Sequence, residues 1–182
     1  MSSRTILGIT GMPGSGKTVF ANILKEYGFI RVTMGDVIRR EVKEREMERT
    51  AENCRLVMYQ LREQHGDDII AKKTGEFIKT LDETKIVIDG IRSMVECNYF
   101  KQTFGEYFAF VAVHANPQIR FSRLVGRTRD DDPTSYKDFI ERDEGELKLG
   151  LGEVISLSPY IIQNNDTKED FKQKINDFIN SL

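Results

Sequence analysis

The sequence predicts an α/β protein, a three-layer α/β/α domain in which a five-stranded parallel sheet carries helices on both faces. Two observations lead to this fold class. Short apolar runs alternate with segments of helical spacing along the chain, and such alternation is typical of a parallel sheet. Between the first apolar run and the first helical segment, residues 11–18 read GMPGSGKT. They fit the phosphate-binding pattern G-x-x-x-x-G-K-[ST] at every fixed position.

Composition narrows the classes of protein to consider. A chain of 182 residues is expected to form one domain, residues 1–182, with a real core. The net charge of −2 gives no general electrostatic reason to bind nucleic acid. The two cysteines and two histidines are isolated, so we expect neither a zinc site nor a disulfide framework. With no long apolar run or signal peptide, we expect a cytoplasmic protein without a membrane partner, a monomer or small homo-oligomer.

The first strand is predicted over residues 4–10 and the first helix over 16–27. The loop between them predicts a P-loop NTPase fold that binds ATP, because its glycines let backbone N–H groups turn towards a phosphate at a helix N-terminus. Lys17 would reach the β- and γ-phosphates, and the Thr18 hydroxyl would bind Mg²⁺. A Gly-rich turn without a ligand is the alternative. The predicted ATP-contacting residues of this segment are Gly11, Pro13, Gly14, Ser15, Gly16, Lys17, Thr18 and Val19.

A long charge-rich segment without proline follows the second strand, which is predicted over 29–33. Four residues in it have the i, i+3, i+4, i+7 spacing of one buried helix face: Cys54, Val57, Met58 and Leu61. Gly66 separates this helix from the next one. We interpret residues 33–82 as a helical insertion between the second and third strands.

The remaining elements follow from apolar runs and capping residues. Strands are predicted over 85–90, 107–113 and 160–162, and helices over 96–104 and 118–124. A further helix is predicted with Asp132 as its N-cap and Pro133 as its first residue. A C-terminal helix would bury an apolar face made of Phe171, Ile175, Phe178 and Ile179.

Several polar residues fall at the carboxyl ends of predicted strands, where doubly wound sheets bind their ligands. Asp89 ends the third strand, and its carboxylate is predicted to hold Mg²⁺ opposite Thr18. A turn-capping aspartate is the alternative. Arg39 and Arg92 follow the second and third strands and suit the binding of a second phosphate. For each of these arginines, a surface salt bridge is the alternative.

Four arginines flank the connection between the fourth and fifth strands: Arg123, Arg127, Arg129 and Arg142. On a mobile lid, such side chains would close over a phosphoryl group during its transfer and exclude water. An ordinary pair of charged helices is the alternative. Of the aspartates in this connection, Asp132 is interpreted as a helix cap, and Asp130 and Asp131 as partners in lid-to-body salt bridges.

Several segments resemble those of nucleoside monophosphate kinases, and of adenylate kinases in particular. Residues 33–39 (TMGDVIR) are similar to the T-G-D segment whose arginine holds the acceptor phosphate, and residues 88–92 (IDGIR) to the L-D-G-F-P-R segment. Residues 123–127 (RLVGR) are similar to the entry of the lid, and residues 165–167 (NDT) to the loop that packs on the adenine of ATP. The resemblance runs nearly from end to end.

The resemblance implies roles for individual residues. The acceptor-binding residues would be Gly35, Asp36, Arg39, Asp89, Gly90 and Arg92. Arg123 and Asn165 would lie at the base of ATP, and Arg127 near its phosphates. The candidate catalytic residues are Lys17, Asp36, Arg127, Arg129 and Arg142.

Two departures from adenylate kinases widen the resemblance. The lid, residues 123–145, is too short for a zinc lid or a β-hairpin, and the segment 89–93 (DGIRS) lacks the proline. In these respects the chain also resembles dephospho-coenzyme A kinases and an archaeal family related to adenylate kinases.

The predicted function is phosphoryl transfer from MgATP to a nucleoside monophosphate, with AMP as the favoured acceptor. Such an acceptor is already an anion and needs no general base. The alternative is transfer to a hydroxyl group, as in dephospho-coenzyme A, for which Asp36 is the candidate base. A third interpretation is a nucleotide-binding regulatory protein without turnover. The expected cofactors are ATP and Mg²⁺, and the expected partner is a small-molecule nucleotide.

Overall fold

The computed structural model describes residues 4–127 and 132–182. Its centre is a five-stranded sheet in the order β2-β3-β1-β4-β5. The strands are β1 (Thr5–Thr10), β2 (Ile30–Thr33), β3 (Lys85–Asp89), β4 (Phe108–His114) and β5 (Ile161–Gln163). Every neighbouring pair of strands is parallel. The α/β fold class with a five-stranded parallel sheet is therefore confirmed.

Helices connect the strands and cover the sheet. The described residues form α1 (Lys17–Glu26), α2 (Met34–Glu44), α3 (Ala51–His65), α4 (Ile69–Lys79), α5 (Met94–Phe104), α6 (Pro117–Val125), α7 (Tyr136–Lys148), α8 (Leu151–Ser156) and α9 (Lys168–Asn180), with a 3₁₀ turn at Gly105–Tyr107. The helices α2, α3 and α4 lie between β2 and β3. Within the part of the chain that the structure describes, none of the helices has the length and hydropathy needed to cross a membrane.

Alternate residues of the strands enter two separate cores. Ile6 and Ile86 are fully buried in a cluster with α2 to α5 on one face of the sheet. Leu7 and Val87 are fully buried in a cluster with α1 and α9 on the other face. Because side chains alternate along a strand, coverage of both faces requires nearly continuous apolar runs. Polar side chains that could bind a ligand are therefore expected at the carboxyl ends of the strands and in the loops that follow them.

The helix α7 begins later than its sequence signals indicate. The prediction of Asp132 as N-cap and Pro133 as the first helical residue is wrong, because α7 begins at Tyr136 with Ser135 as its N-cap. The Ser135 hydroxyl accepts a hydrogen bond from the Asp138 N–H at 3.1 Å, and the Asp138 carboxylate accepts one from the Ser135 N–H at 2.9 Å. This reciprocal capping box satisfies two backbone donors at once, which a lone aspartate cap does not.

Other boundaries differ from the predicted ones by one or two residues. The helix α5 begins at Met94 rather than at residue 96, because the Ser93 hydroxyl accepts a hydrogen bond from the Glu96 N–H at 3.3 Å and caps the helix. The strand β5 begins at Ile161 rather than at residue 160. The short helix α8 has no counterpart among the predicted elements.

Candidate functional site

The loop between β1 and α1 leaves no room for a side chain at two of its glycines. Gly11 has a φ of 142°, and a Cβ there would collide with the carbonyl oxygen of Val113 on β4. Gly16 has a φ of 113°, and a Cβ there would collide with the side-chain amide of Asn164. Side chains other than that of glycine rarely tolerate such φ values. The loop therefore keeps an open backbone at the N-terminus of α1, where an anion is favoured.

The side chain of Ser15 lies within the same loop. Ser15 is fully buried, and its hydroxyl has no hydrogen-bond partner among the described residues. A buried hydroxyl without a partner costs free energy, and a phosphate oxygen would supply that partner. The donors of this loop thus fit the polyphosphate of a nucleotide.

Other residues of the loop are fixed by the neighbouring helix α6. The Pro13 carbonyl oxygen accepts a hydrogen bond from the Arg120 guanidinium at 3.1 Å. A Cβ at Gly14 would lie 2.8 Å from the Arg120 carbonyl oxygen, so glycine permits close approach to α6. Val19, by contrast, is 48% exposed on α1. Pro13 and Gly14 therefore hold the loop against α6, whereas Val19 lies at the surface.

Lys17, the first residue of α1, lies over the loop. Its ammonium donates to the carbonyl oxygens of Gly11 at 2.5 Å and Met12 at 3.1 Å. Burial lowers the pKa of Lys17 to about 8. A new anionic partner would stabilise the desolvated ammonium and raise its pKa again.

Charged side chains from three parts of the chain surround Lys17. Asp89 and Glu146 raise its pKa, whereas Arg92 and Arg142 lower it further, and these effects are smaller than that of burial. Asp89 ends β3, Arg92 lies in the following loop, and the other two belong to α7. The structure thus brings together Lys17, Asp89, Arg92 and Arg142, which the sequence analysis singles out, and adds Glu146.

The lowered pKa of Lys17 predicts proton uptake when a nucleotide binds above pH 8. Between about pH 8 and the ordinary value of 10.5, the folded protein holds fewer protons at Lys17 than the unfolded chain. The contribution of Lys17 to stability therefore rises with pH through that range.

Bound ADP should raise the pKa of Lys17 again, so at pH 9 the binding of ADP should take up most of one proton. Calorimetry in two buffers of different ionisation enthalpy measures this uptake, and Lys17→Met should abolish it. Buffer-independent binding enthalpies would contradict the prediction.

Asp89 is buried at the end of β3, where its carboxylate forms an ion pair with Arg31 of β2. Thr18 is the second residue of α1 and is partly buried. Among the described residues, no group of three or more histidine, cysteine, aspartate or glutamate side chains could hold a metal ion alone. One carboxylate and one hydroxyl fit Mg²⁺, which usually takes its other ligands from phosphates and water. Arg31 was not among the predicted partners of Asp89.

Arg92 is held by groups from its own loop, from α5 and from α7. Its Nε donates to the Glu146 carboxylate at 2.9 Å, and one terminal nitrogen donates to the Gly90 carbonyl oxygen at 3.1 Å. The Arg92 N–H donates to the buried Glu96 carboxylate at 2.7 Å. The Glu146 charge raises the pKa of Arg92. Burial acts to raise the pKa of Glu146, but the charges of Arg92 and Lys17 help to lower it overall. Arg92 and Glu146 therefore form an ionised pair.

A pocket of about 280 Å³ opens between β2, α2 and α4. Its polar and aromatic lining includes Arg31, Thr33, Asp36, Arg40, Thr74 and Phe77. The Arg40 guanidinium lies 5.7 Å from the centre of the Phe77 ring. Arg31 also pairs with Asp89, whose charge raises the pKa of Lys17, so one arginine is common to the pocket and to the charged side chains near the loop.

Arg39 takes a different position from the one expected of an acceptor-binding arginine. It is not among the residues that line the pocket. Its Nε donates to the Asp36 carboxylate at 3.0 Å, and its guanidinium lies against Gly35. Asp36 thus contacts Arg39 and also lines the pocket.

Arg123 of α6 is tied to the loop after β5. Its guanidinium donates to the backbone oxygen of Asn164 at 3.0 Å and to the side-chain oxygen of the same residue at 3.2 Å. The Asn164 amide donates to the Ser15 carbonyl oxygen at 2.8 Å. Asn165 instead accepts a hydrogen bond from the Asn116 N–H at 2.8 Å. Within the described residues, Asn164 rather than Asn165 connects Arg123 with the phosphate-binding loop.

Two of the predicted lid arginines converge on Asp132. The Arg127 Nε donates to its carboxylate at 2.9 Å, and Arg142 lies 3.6 Å from it. The carboxylate that the sequence suggested as a cap therefore serves as an ion-pair partner. The predictions for Arg129, Asp130 and Asp131 fall on residues outside those that the structure describes.

Comparison with known proteins shows the family of this chain. A family model described as an AAA domain matches residues 10–139. A UPF0200 protein of Thermococcus onnurineus is 41% identical over 180 residues, which cover 97% of each chain. The chain belongs to the UPF0200 family. A UPF0200 protein of Saccharolobus solfataricus is 41% identical over 168 residues, 91% of this chain and 87% of the relative.

The fold also has a solved counterpart. The crystal structure of TT1252 from Thermus thermophilus superposes with a TM-score of 0.70 at 17% identity, covering 100% of this chain and 99% of that chain. At this level of identity, the likeness shows the fold alone. The family match and the common fold make this UPF0200 chain a P-loop domain with an α/β fold.

Besides the pair of Arg31 with Asp89, sequence reasoning missed two ion pairs that join α7 to neighbouring elements in this UPF0200 chain. One joins Glu146 to Arg92. The other joins buried Arg120 to Asp143 through two hydrogen bonds, at 2.9 and 2.6 Å. One signal could have identified Arg120: it lies four residues before the buried Leu124, on the same face of α6, where a charge needs a partner.

Proposed function

We propose that this UPF0200 chain is an ATP- and Mg²⁺-dependent phosphotransferase of the nucleoside monophosphate kinase type, with AMP as its acceptor. The observation that carries the proposal is the position of Lys17 over the phosphate-binding loop, with Arg92 and Arg142 near enough to lower its pKa. Cations that converge in this way suit a phosphoryl group whose charge is spread over several oxygens during transfer. A phosphate acceptor requires only positioning and neutralisation of charge.

The donor nucleotide would bind along the loop and the N-terminus of α1. Lys17 would exchange its backbone oxygens for the β- and γ-phosphates, and the unpartnered Ser15 hydroxyl would donate to a phosphate oxygen. Thr18 and Asp89 would hold Mg²⁺, which when bound neutralises charge on these phosphates. Arg123, with the loop of Asn164 and Asn165, would lie at the base of ATP.

The acceptor nucleotide would bind in the pocket beside β2. Its volume of about 280 Å³ and its lining by Arg31, Arg40 and Phe77 suit a planar base and an anion. Residues 33–82 would then be the acceptor-binding insertion, and residues 123–145 a lid whose arginines include Arg127, Arg129 and Arg142. The partner would be a small nucleotide rather than nucleic acid or a membrane.

One observation favours a second candidate function. Asp36 lines the pocket and its side chain is 60% exposed, so its carboxylate could take a proton from an acceptor hydroxyl. Transfer to a ribose hydroxyl, as in dephospho-coenzyme A, is therefore the alternative reaction. A regulatory protein that binds nucleotide without turnover is the remaining alternative.

A panel of acceptors tests the proposal. Purified protein receives ATP and Mg²⁺ with each nucleoside monophosphate or with dephospho-coenzyme A, and ADP formation is measured. We expect AMP to give the fastest turnover. Arg40→Ala should then lower kcat/KM for AMP by about tenfold or more, because the pocket loses a charged hydrogen-bond donor.

A comparison of two pocket variants separates the candidate reactions. Asp36→Asn should be the more damaging change in a hydroxyl kinase, and Arg40→Ala in a monophosphate kinase. Lys43→Ala, an exposed change on α2, serves as the matched control and should leave turnover unchanged. Binding of ATP or AMP without ADP formation from any acceptor would overturn the enzyme proposal and favour the regulatory one.

A further inference from the structure

Glu146 lies among the cations that the proposed function assigns to phosphate groups. It belongs to the last turns of α7, one helical turn after Arg142. Its carboxylate accepts a hydrogen bond from the Arg92 Nε at 2.9 Å and lies near enough to Lys17 to raise the pKa of that ammonium. The Glu146 side chain is 18% exposed. A mostly buried anion of the protein therefore occupies the place where a substrate anion is expected.

Arg92 cannot bind the Glu146 carboxylate and a phosphate equally well at the same time. Carboxylate and phosphate oxygens are alternative partners for the same guanidinium fork. If both were present at Arg92, two like charges would face each other in a partly desolvated site, where their repulsion is poorly screened. The Arg92 guanidinium also has a backbone partner, the Gly90 carbonyl oxygen at 3.1 Å, which leaves fewer donors for a second anion.

We propose that Glu146 is an internal competitor for the anion that Arg92 binds, so that a substrate phosphate must displace the Glu146 carboxylate. The identity of that anion, the phosphate of AMP, rests on the proposed function. The competition itself rests only on the contact of Glu146 with Arg92 and its closeness to Lys17. Glu146 thereby tunes affinity and acts as a positioning residue for Arg92.

The rest of α7 stays anchored when a phosphate takes Arg92. Asp143 of the same helix pairs with Arg120 of α6, and Gly150, just after the helix, lies against the backbone of Arg92 and Ser93. The displacement therefore concerns the side chain of Glu146 and not the position of the helix.

Calorimetry with AMP, in the absence of ATP, tests the competition. Glu146→Gln keeps the shape of the side chain and removes its charge, so we expect AMP to bind about tenfold more tightly than to the unaltered protein. Glu144→Gln is the matched control, since it removes an exposed carboxylate from the same helix. It should leave AMP affinity unchanged. Unchanged or weaker AMP binding by the Glu146→Gln variant would overturn the proposal.

A double-mutant cycle shows whether Glu146 acts through Arg92. In an Arg92→Met background, the further change Glu146→Gln should no longer tighten AMP binding. An undiminished gain there would overturn the assignment of Arg92 as the contested group. If Glu146→Gln fails to fold cooperatively, Glu146→Asp supplies the measurement, because its shorter side chain weakens the contact with Arg92. It should tighten AMP binding in the same direction, and no change would overturn the proposal.

The outcomes keep the two proposals apart. Tighter AMP binding by the Glu146→Gln variant, together with no ADP formation by the unaltered protein from any acceptor, would support the competition and remove the kinase proposal. ADP formation with an unchanged AMP affinity would support the kinase and remove the competition.

Discussion

Replacing Lys17 by methionine is expected to lower ADP formation from MgATP and AMP by about 10²- to 10³-fold. Methionine keeps most of the length of the side chain but has no charge. Lys17 is the cation that the structure places directly over the phosphate-binding loop, with its ammonium 2.5 and 3.1 Å from two loop carbonyl oxygens. No other described lysine has such a position, so the loss should not be compensated.

The matched control for this change lies on the same helix. Lys25 is exposed in the last turn of α1, and Lys25→Met should leave turnover unchanged. Initial rates with saturating and limiting ATP separate the loss of binding from the loss of chemistry. A Lys17→Met variant that folds and retains turnover would place the activity away from the loop and contradict the proposed function.

The fold and the position of the loop could be predicted because their signals are local. Alternating apolar runs define the strands, and the motif from Gly11 to Thr18 fixes the turn between β1 and α1. Asp89 and Arg92 could be placed at the carboxyl ends of the strands, because Asp89 ends β3 and Arg92 lies three residues after it. Such assignments need only the order of the chain and the direction of parallel strands.

The partners of these charged residues could not be predicted in the same way. Arg92 is 54 residues from Glu146, and Arg31 is 58 residues from Asp89. Long side chains can reach several partners, and the choice depends on how helices such as α7 pack on the sheet. The resemblance to known kinases indicated that Arg39 and Arg92 bind an acceptor phosphate. It did not indicate that a carboxylate of the same chain holds each of them.

The start of α7 could not be predicted for a further reason. Asp132 followed by Pro133 is a good local signal for the start of a helix, but the capping box of Ser135 and Asp138 competes for the same role. The role of Asp132 then depends on two arginines, since Arg127 and Arg142 both approach its carboxylate. Tertiary ion pairing thus overrides a local preference, and only the folded arrangement reveals it.

Replacing Asp143 by asparagine is expected to lower the free energy of unfolding by about 3 to 5 kcal/mol. The change keeps the shape of the side chain and removes the charge that faces Arg120. That guanidinium donates to the Asp143 carboxylate at 2.9 and 2.6 Å, and its side chain is only 5% exposed. A buried guanidinium without its carboxylate keeps its charge, so most of its desolvation cost is no longer offset.

The Asp143→Asn variant should also weaken nucleotide binding, although Asp143 itself does not contact the loop. Arg120 donates to the Pro13 carbonyl oxygen at 3.1 Å and lies 5.0 Å from the centre of the Phe139 ring. The one guanidinium therefore connects the phosphate-binding loop to α7. When Asp143 no longer orients it, the loop should lose part of its support and bind ADP less tightly, which a titration with ADP measures.

Two comparisons identify the buried charge as the cause. Glu141→Gln on the same helix disturbs only an exposed pair with Lys137, at 3.7 Å, and should not change the unfolding transition. The double change Arg120→Met with Asp143→Leu removes both charges and should recover much of the lost stability, because no unpaired ion remains. Its ADP affinity should nevertheless stay low, since the hydrogen bond to Pro13 is absent. Recovery of both stability and ADP affinity in the double variant would contradict a supporting role of Arg120 for the loop, because apolar packing alone would then suffice.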